Sequence, residues 1–508
     1  MRIPLDRDSP VPLYRQIQQF LREQIRSGSL PSETRLPASR KLATSLGVNR
    51  ITVTNAYAEL EAEGLVYSRQ GSGTFVAPPL AALPESKGDR ISISDWPLWQ
   101  QELLSRTWLL AHRELDRLVE SVSRPDLISF AGGLGDSELF PADDFRKVLQ
   151  TVLRRDGTEA LGYGDRTGYP PLRAKIAHVL TSQGIPTHLD HVLITSGSQQ
   201  ALALVAHLLL RPGDVVLVES PTYFGAIDLF RSLDVRLLGV PLDEQGMQAE
   251  QVEDALRSGR LRLIYTIPTF HNPTGTCMSG HRRRQLVALA DRYNVPILED
   301  DFVGDLRYQG RALPALKALD PGGRVIYTST FSKMLMPALR LGLLVASGPV
   351  YERLLALKRV TDLTTSNLMQ RALETYITVG RYQAHLRRAC QMYRRRRDAM
   401  LDALGRYLPA SARYRSPPGG LFTWLQLPAG LSAIKLYPVA AEEGVIFVPG
   451  SLFFPTERPQ PYLRLNFAQH PADVIEEGIR RLGRAVERLL TLQESELASA
   501  PRQPSVVA

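Results

Sequence analysis

Five short apolar runs between residues 192 and 327 constrain the fold most, because each is followed by a different chemical group. They are VLI (192–194), VVLV (215–218), LIYT (263–266), VPIL (295–298) and VIY (325–327). Short buried strands of this kind are typical of an open α/β sheet, in which ligands bind beyond the carboxyl ends of the strands. The groups that follow the five runs therefore predict one shared pocket.

A phosphate-binding turn, an aromatic ring, an amide, a carboxylate and an amine follow the runs in that order. The turn TSGSQQ (195–200) opens an apolar helix, whose free backbone N–H groups suit a phosphate. Tyr223, Asn272, Asp300 and Lys333 follow the second to fifth runs. A lysine held in such a pocket without a partner has a lowered pKa and becomes nucleophilic towards an aldehyde. Taken alone, Lys333 is better explained as a surface lysine that follows a strand. The ordered set of five groups favours a position in the pocket instead.

This ordered set resembles that of the fold-type I pyridoxal 5′-phosphate (PLP) enzymes, the aspartate aminotransferase group, over roughly residues 127–490. The resemblance implies that PLP is the cofactor and that Lys333 joins it as an aldimine. By the same likeness Asp300 pairs with the pyridine nitrogen, Asn272 bonds the ring hydroxyl and Tyr223 stacks on the ring.

The resemblance also implies residues for the phosphate and for a bound substrate. The implied phosphate contacts are Ser198, Gln199, Thr330 and Arg340, with Tyr163 reaching the phosphate of a partner subunit. Arg464 matches the arginine that clamps a substrate carboxylate, and Gly133 lies in the segment that passes close to the substrate.

One departure from the family pattern concerns the ring hydroxyl. The family usually has a tyrosine two or three residues after the aspartate, whereas this chain has Phe302 and Val303 there. Neither side chain can make the hydrogen bond of a tyrosine hydroxyl. We therefore expect PLP binding to be retained and catalytic turnover to be weakened.

Residues 11–77 predict a separate unit. Two helical patterns meet at Gly47, and the second helix begins with outward polar side chains, Arg50 and Thr52 among them. This geometry suits the major groove of DNA, and the hairpin that follows has its tip at Gly71 and Gly73, which suits a minor groove or phosphate. A small helical protein-interaction module is the alternative.

The segment LPASRKLATSLGVNRITVTNAYAELEAEGLV closely resembles the winged helix-turn-helix of GntR-type transcription factors. The resemblance implies that Arg35, Arg40 and Arg50 contact DNA, with Thr52 beside them. Arginine suits this role because its guanidinium grips phosphate or guanine with two hydrogen bonds.

The chain of 508 residues is too long for one hydrophobic core, so we expect a multidomain protein. The predicted parts are an α+β winged helix-turn-helix and an α/β fold-type I domain with a small α+β C-terminal domain. The expected bounds are residues 1–77 for the DNA-binding domain, 78–124 for a linker with a docked helix, 125–490 for the PLP domain with its small part from about 380, and 491–508 for a disordered tail.

Composition excludes several other classes. No apolar run approaches the roughly 18 residues of a membrane span, and the first residues show no apolar signal region. The two cysteines, Cys277 and Cys390, predict neither a disulfide framework nor a cysteine metal site, so we expect a cytoplasmic protein without a metal. The formal net charge of +9 is compatible with a polyanionic partner. Seven arginines without an acid in residues 381–397 indicate a solvated helix face or, alternatively, a second DNA surface.

Order and spacing of the two parts resemble the MocR subfamily of GntR-type regulators. This implies a homodimeric transcriptional regulator that binds double-stranded DNA at two half-sites and senses PLP or a small amino compound through aldimine formation. One alternative is a PLP-dependent aminotransferase acting on an amino acid, with an accessory DNA-binding module. The other is a PLP-independent repressor with a degenerate domain.

Overall fold

The computed structural model describes residues 3–7, 9, 11–69, 72–77, 96–104, 126–456 and 461–499. The chain divides into two compact units, Met1–Leu103 and Leu104–Ala508. Each unit has its own hydrophobic core.

Among the described residues, three helices and a hairpin form the core of the first unit. They are α1 (Leu13–Arg26), α2 (Ser39–Leu46), α3 (Arg50–Ala62), β1 (Val66–Arg69) and β2 (Gly73–Val76). Gly47 ends α2 with φ 63°, a left-handed conformation that glycine adopts without strain. The Asn49 side chain then caps α3 by accepting a hydrogen bond of 2.9 Å from the backbone N–H of Ile51. The two helices therefore meet at a fixed turn.

The inward face of α3 is the one that its apolar spacing predicts. Val53, Ala56, Tyr57 and Leu60 are all buried against α1 and α2. The opposite face of α3 is exposed, so its polar residues remain available to a partner. The predicted helix-turn-helix with a hairpin wing is confirmed.

The second unit is a large α/β body. Its helices are α5 (Ala142–Asp156), α6 (Pro170–Ser182), α7 (Ser198–Leu209), α8 (Phe224–Ser232), α9 (Ala249–Arg257), α10 (Gly280–Tyr293), α11 (Pro349–Asp362), α12 (Asn367–Thr378), α13 (Arg381–Tyr407), α14 (Ala433–Glu442) and α15 (Ala472–Ser499), while α4 (Leu98–Leu104) precedes them. Its strands are β3 (Ile128–Ser129), β4 (Val192–Thr195), β5 (Val215–Ser220), β6 (Arg236–Asp243), β7 (Gly246–Met247), β8 (Leu261–Thr266), β9 (Ile297–Asp301), β10 (Val325–Thr330), β11 (Gly342–Val345), β12 (Arg413–Tyr414), β13 (Phe422–Gln426), β14 (Val445–Ile446), β15 (Val448–Pro449) and β16 (Tyr462–Asn466).

The main sheet has eight strands in the order β4-β11-β10-β9-β8-β5-β6-β7. The pairs β10–β9, β9–β8, β8–β5 and β5–β6 are parallel, whereas β11 is antiparallel to both of its neighbours. Strands β4, β5, β8, β9 and β10 therefore all run in one direction. Both faces of β4 and β10 are buried, which explains why their sequences are continuous rather than alternating apolar runs.

A second, four-stranded antiparallel sheet has the order β12-β13-β16-β15. It belongs to the C-terminal part of the unit, and β14 pairs in parallel with β3 from the start of the unit. The predicted fold class, an α/β domain with a small α+β part, is confirmed.

One expectation about the C-terminal part is wrong, and a second holds only in part. The disordered tail does not begin at residue 491, because α15 continues to Ser499 through residues with good helix propensity. The expected solvated arginine face of residues 381–397 is only partly solvated. Arg387, Arg388, Arg394 and Arg395 are exposed on α13, but Arg396 and Arg397 are buried.

Arg396 and Arg397 are buried because they lie on the same helix face as Tyr393 and Met400. Arg396 forms an ion pair of 2.5 Å with Asp136 and donates to the Ala468 carbonyl at 2.6 Å. The positive charge of Arg396 therefore stabilises the fold by pairing with buried Asp136.

Most of the predicted linker lies outside the described residues, and only α4 within it is seen. The docking of this helix and the other predicted domain bounds remain predictions. In the described ranges no helix is long and apolar enough to cross a membrane, and no group of three potential metal-ligating His, Cys, Asp or Glu residues occurs.

Replacing Arg396 by methionine should lower the free energy of unfolding by about 3–5 kcal/mol, because Asp136 would remain buried without its counter-charge. Chemical denaturation followed by circular dichroism measures this. The control is Arg394→Met on the exposed side of the same helix, which should change the free energy by less than about 0.5 kcal/mol. Equal effects of the two substitutions would contradict the structural role of Arg396.

Candidate functional site

The carboxyl ends of β4, β5, β8, β9 and β10 lie at one edge of the sheet and hold the predicted groups together. Asp300 lies near the end of β9, and its neighbour in the parallel register is Thr328 on β10, five residues before Lys333. The groups that follow these strands in the sequence therefore also lie at the same edge of the sheet.

Asp300 is a buried carboxylate, and only one of its two oxygens has a hydrogen-bond partner among the described residues. Its Oδ2 accepts a hydrogen bond of 2.9 Å from the Tyr265 hydroxyl, while Oδ1 has no partner among the described residues. Burial raises the pKa of Asp300 to about 7, although the bond from Tyr265 lowers it in part. A cationic N–H directed at Oδ1 would stabilise the ionised carboxylate.

Lys333 follows β10 and is partly buried. Burial, and after it the positive charges of Arg464 and Arg340, lower the pKa of Lys333 to about 8. A Cβ at position 133 would stand 3.7 Å from the Lys333 Nζ, so Gly133 leaves space beside the amine. The lowered pKa gives a larger unprotonated fraction near neutral pH than an ordinary lysine has, and the unprotonated amine is the form that attacks a carbonyl.

Arg464 on β16 is buried beside Asn272. Its Nη1 donates to Asn272 Oδ1 at 3.0 Å and its Nη2 to the Ala131 carbonyl at 2.9 Å, while its Nε has no partner among the described residues. The guanidinium lies 4.1 Å from the ring centroid of Phe422. Burial lowers the pKa of Arg464 to about 9 because the charged guanidinium is desolvated. A carboxylate ligand would offset this unfavourable desolvation.

The start of α7 lies beside Arg340, whose charge also acts on Lys333. Gly197 precedes it with φ 94°, and Ser198 is its first helical residue. Arg340 donates from Nη2 to the Ser196 carbonyl at 3.2 Å and from Nη1 to the Ser332 hydroxyl at 3.5 Å. A helix N-terminus beside an arginine provides N–H donors and positive charge, which suits a phosphate.

The remaining predicted phosphate and ring residues border the same place. Gln199 accepts a hydrogen bond of 3.4 Å from the Tyr223 hydroxyl. Burial, and after it the charge of Asp300, raise the pKa of Tyr223 to about 12, so the hydroxyl is neutral. The Thr330 hydroxyl donates to the Leu341 carbonyl at 3.2 Å and accepts from the Ser332 N–H at 3.2 Å.

Tyr163 does not join this group within one chain. Its side chain is 86% exposed, so its predicted contact with a partner subunit remains a prediction. Phe302 stacks on Phe422 with ring centroids 6.4 Å apart, and Val303 is fully buried. No hydroxyl is therefore supplied from either position.

Sequence reasoning missed Tyr265 and Ser332. Tyr265 reaches Asp300 because β8 and β9 are neighbours in parallel register, which pairs Tyr265 with Leu298. Predicting the role of Tyr265 would have required knowing that β8 lies next to β9 in the sheet. Ser332 was detectable from its position next to Lys333.

The predicted DNA contacts lie on the surface of the first unit. Arg35, Arg40 and Arg50 are exposed, and Thr52 is half-buried on α3. A Cβ at Gly73, where φ is 117°, would lie 3.0 Å from Arg35 Nε, so this arginine lies against the hairpin. Gly71 lies outside the described residues. These roles in DNA binding remain predictions.

Comparison with known proteins identifies both units. Residues 133–482 match the family "Aminotransferase class I and II", and residues 13–76 match "Bacterial regulatory proteins, gntR family". The probable rhizopine catabolism regulatory protein MocR of Rhizobium meliloti is 34% identical over 94% of this chain and 94% of its own.

Two solved structures are similar to the second unit. Kynurenine aminotransferase of Pyrococcus horikoshii, in complex with PMP, is 37% identical with a TM-score of 0.72 and covers 74% of this chain and 95% of its own. The α-aminoadipate aminotransferase LysN of Thermus thermophilus, complexed with N-(5′-phosphopyridoxyl)-L-leucine, is 39% identical with a TM-score of 0.69, covering 74% and 95%.

A GntR-type DNA-binding unit joined to an aminotransferase class I and II unit defines a class of transcriptional regulators. The chain belongs to the MocR-type members of the GntR family. It binds DNA, and its cofactor is PLP. The pocket fits PLP, because the unpartnered Oδ1 of Asp300 suits a protonated pyridine nitrogen and the start of α7 with Arg340 suits the phosphate.

Lys333→Ala should lose the cofactor that borohydride fixes covalently to the wild-type chain, because Lys333 supplies the attacking amine. Mass spectrometry of the reduced protein measures the added mass. Lys317→Ala, a lysine whose amine pairs with Asp320, is the control and should retain it. The same added mass in Lys333→Ala would mean that another lysine is the attachment site.

The rate at which wild-type apoprotein captures PLP should rise with pH through about 8. Burial lowers the pKa of Lys333 to about 8, so the amine is protonated and inert below this pH and neutral above it. Stopped-flow absorbance across about pH 6.5–11 measures the profile. A midpoint near the ordinary lysine value of 10.5 would contradict the desolvated environment.

Arg50→Ala should weaken specific operator binding by about 1–3 kcal/mol if Arg50 reads a base. Fluorescence anisotropy with operator DNA measures the affinity. Arg15→Ala, which removes an equal charge from the exposed side of α1, should have a smaller effect. PLP content should not change in either variant. Unchanged affinity in Arg50→Ala and Arg40→Ala together would reject this surface as the DNA reader.

Proposed function

We propose that the protein regulates transcription by coupling the binding of a small amino compound at the PLP site to its affinity for operator DNA. The observation that carries this proposal is the pairing of Lys333 with Arg464. One side chain offers an amine whose pKa is lowered, and the other a buried guanidinium whose Nε lacks a partner among the described residues. An α-amino acid carries the complementary amine and carboxylate.

The roles of the pocket residues follow from their chemistry. Bound PLP supplies an aldehyde that amines join covalently and a ring that withdraws electrons. Asp300 would hold the ring by its nitrogen, and Asn272, whose Oδ1 accepts a hydrogen bond from Arg464, would offer its N–H₂ group to the ring hydroxyl. Arg464 binds the carboxylate of the incoming compound, and Lys333 accepts a proton when that compound displaces it.

Asn272 also links the two ligands. The hydrogen bond from Arg464 to Asn272 connects the guanidinium that grips the effector to the amide that grips the ring. A carboxylate arriving at Arg464 redistributes its donors among Asn272, Ala131 and the new acceptor. Effector binding would thereby also act on the ring, and we expect it to change the absorbance of the cofactor.

A homodimer is the assembly in which this site is complete. Tyr163 is 86% exposed and Leu161 is 67% exposed, an arrangement that supports a contact with a second copy. Two DNA-binding units in one dimer would read two half-sites. A ligand that binds one arrangement of the dimer better than another changes its DNA affinity by that difference alone.

Turnover as an aminotransferase is the second candidate, favoured by the retention of Lys333, Asp300 and Arg464. Against it stand Phe302 and Val303, which supply no hydroxyl to the ring. Proton transfer at the substrate carbon needs a precisely oriented ring, whereas binding of an amine does not. The regulatory function therefore requires less of this pocket than the enzymatic one.

Amino acids should change the absorbance spectrum of the PLP-bound protein while keto acid forms slowly or not at all. Operator affinity should respond over the same concentration range, because the two bindings are thermodynamically linked. Spectral titration, anisotropy and keto acid assays on one preparation measure the three. Turnover of about 1 per second or more, with operator binding indifferent to amino acids, would favour the enzyme instead.

Arg464→Lys provides the matched variant for the effector contact. Lysine retains the charge but lacks the two-pronged geometry, so the response to amino acids should need at least about tenfold more ligand. The response to the corresponding decarboxylated amines should not change, because they have no carboxylate. Equal weakening for amino acids and amines would contradict the role given to Arg464.

A further inference from the structure

A lysine with no role in the pocket described so far is buried behind its phosphate end. Lys358 lies on α11 with only 1% of its residue surface exposed. Its Nζ donates a hydrogen bond of 2.8 Å to Oδ1 of Asp362, one turn further along the same helix. A buried ammonium is unfavourable without such a partner, so the pair must be kept together.

Asp362 uses its other oxygen to hold the turn that precedes α7. Its Oδ2 accepts from Gln200 Nε2 at 2.9 Å and from the Ser196 hydroxyl at 3.4 Å. Gln200 in turn accepts the Ser196 backbone N–H on its Oε1 at 2.7 Å. The carboxylate therefore decides which way the Gln200 amide faces, because it accepts hydrogen bonds and cannot donate them.

The Ser196 peptide is fixed from both sides by these contacts. Gln200 binds its N–H, and Arg340 binds its carbonyl at 3.2 Å. The N–H groups of the first turn of α7, which begins at Ser198, have no acceptor within the helix and stay free for an anion. The direction of those N–H groups depends on the Ser196 peptide.

We propose that Lys358 and Asp362 are positioning residues for the phosphate-binding turn of the PLP site and act through Gln200 and Ser196. Lys358 has a second effect, which is electrostatic. Asp362 contacts Ser196, two residues before the start of α7, and its negative charge would repel a phosphate there unless a cation neutralised it. The inference rests on PLP as cofactor and concerns only its phosphate end.

The test compares PLP with pyridoxal, which has the same aldehyde and ring but no phosphate. Apoprotein is titrated with each compound, and absorbance gives the two dissociation constants. Lys358→Met should weaken PLP binding at least about tenfold, the loss expected from breaking a buried charge-assisted hydrogen bond. Its affinity for pyridoxal should stay within about twofold of the wild-type value, because the ring and lysine contacts are unchanged.

Two further variants protect the test against general destabilisation. Lys317→Met disrupts another lysine–aspartate pair of this unit, Lys317 with Asp320 at 3.5 Å, and should leave the ratio of the two affinities unchanged. Gln200→Leu removes the amide that joins Asp362 to the Ser196 backbone N–H but keeps the buried charge pair. It should reduce the ratio as Lys358→Met does, and it decides the question if Lys358→Met does not fold.

The outcomes separate this proposal from the cofactor assignment. A selective loss of PLP affinity in Lys358→Met or Gln200→Leu supports the positioning role. Equal losses for PLP and pyridoxal, or an unchanged ratio in both variants, would overturn it. Wild-type protein that binds PLP no better than pyridoxal would instead refute the phosphate-binding role of the α7 turn itself.

Discussion

Unpaired charge in a buried pocket is the constraint on which the rest of the second unit depends. Asp300 and Arg464 are both buried, yet each has an atom without a partner among the described residues. Such groups raise the energy of the folded chain, and burial shifts the pKa of each towards its neutral form. The strands that carry them, β9 of the main sheet and β16 of the four-stranded sheet, keep the two charges from relaxing towards water. The pyridine nitrogen of the cofactor would relieve Asp300, and the carboxylate of an amino compound would relieve Arg464.

The pocket residues that could be predicted from sequence are those that follow an apolar run, because their positions depend only on the local sequence. Asp300 and Lys333 each follow an apolar run, and parallel strands bring their carboxyl ends to one edge. Residues that depend on contacts between distant elements were not predictable in this way. Tyr265 reaches Asp300 through the register of β8 and β9, and Lys358 reaches the pocket through Asp362, which contacts Gln200 and Ser196.

The arginines of α13 show a second reason for error. Composition alone treats Arg394 to Arg397 as one charged run, but a helix turns by about 100° per residue and distributes them over two faces. Arg394 and Arg395 face water, whereas Arg396 and Arg397 face the core and bind Asp136 and the Pro417 carbonyl. Which face is inward depends on the elements packed against α13. A local pattern rich in charge does not contain that information.

Phe302 illustrates how binding and turnover make different demands on one pocket. Binding of an amino compound needs an aldehyde, a neutral lysine and a carboxylate grip, none of which involves position 302. Turnover adds a proton transfer whose rate falls steeply when the reacting groups are displaced by as little as 1 Å. An aromatic ring stacked on Phe422 retains the packing of the pocket without the hydrogen bond that orients the cofactor ring. A regulator needs only a difference in affinity between two states, and that difference is available from the binding contacts alone.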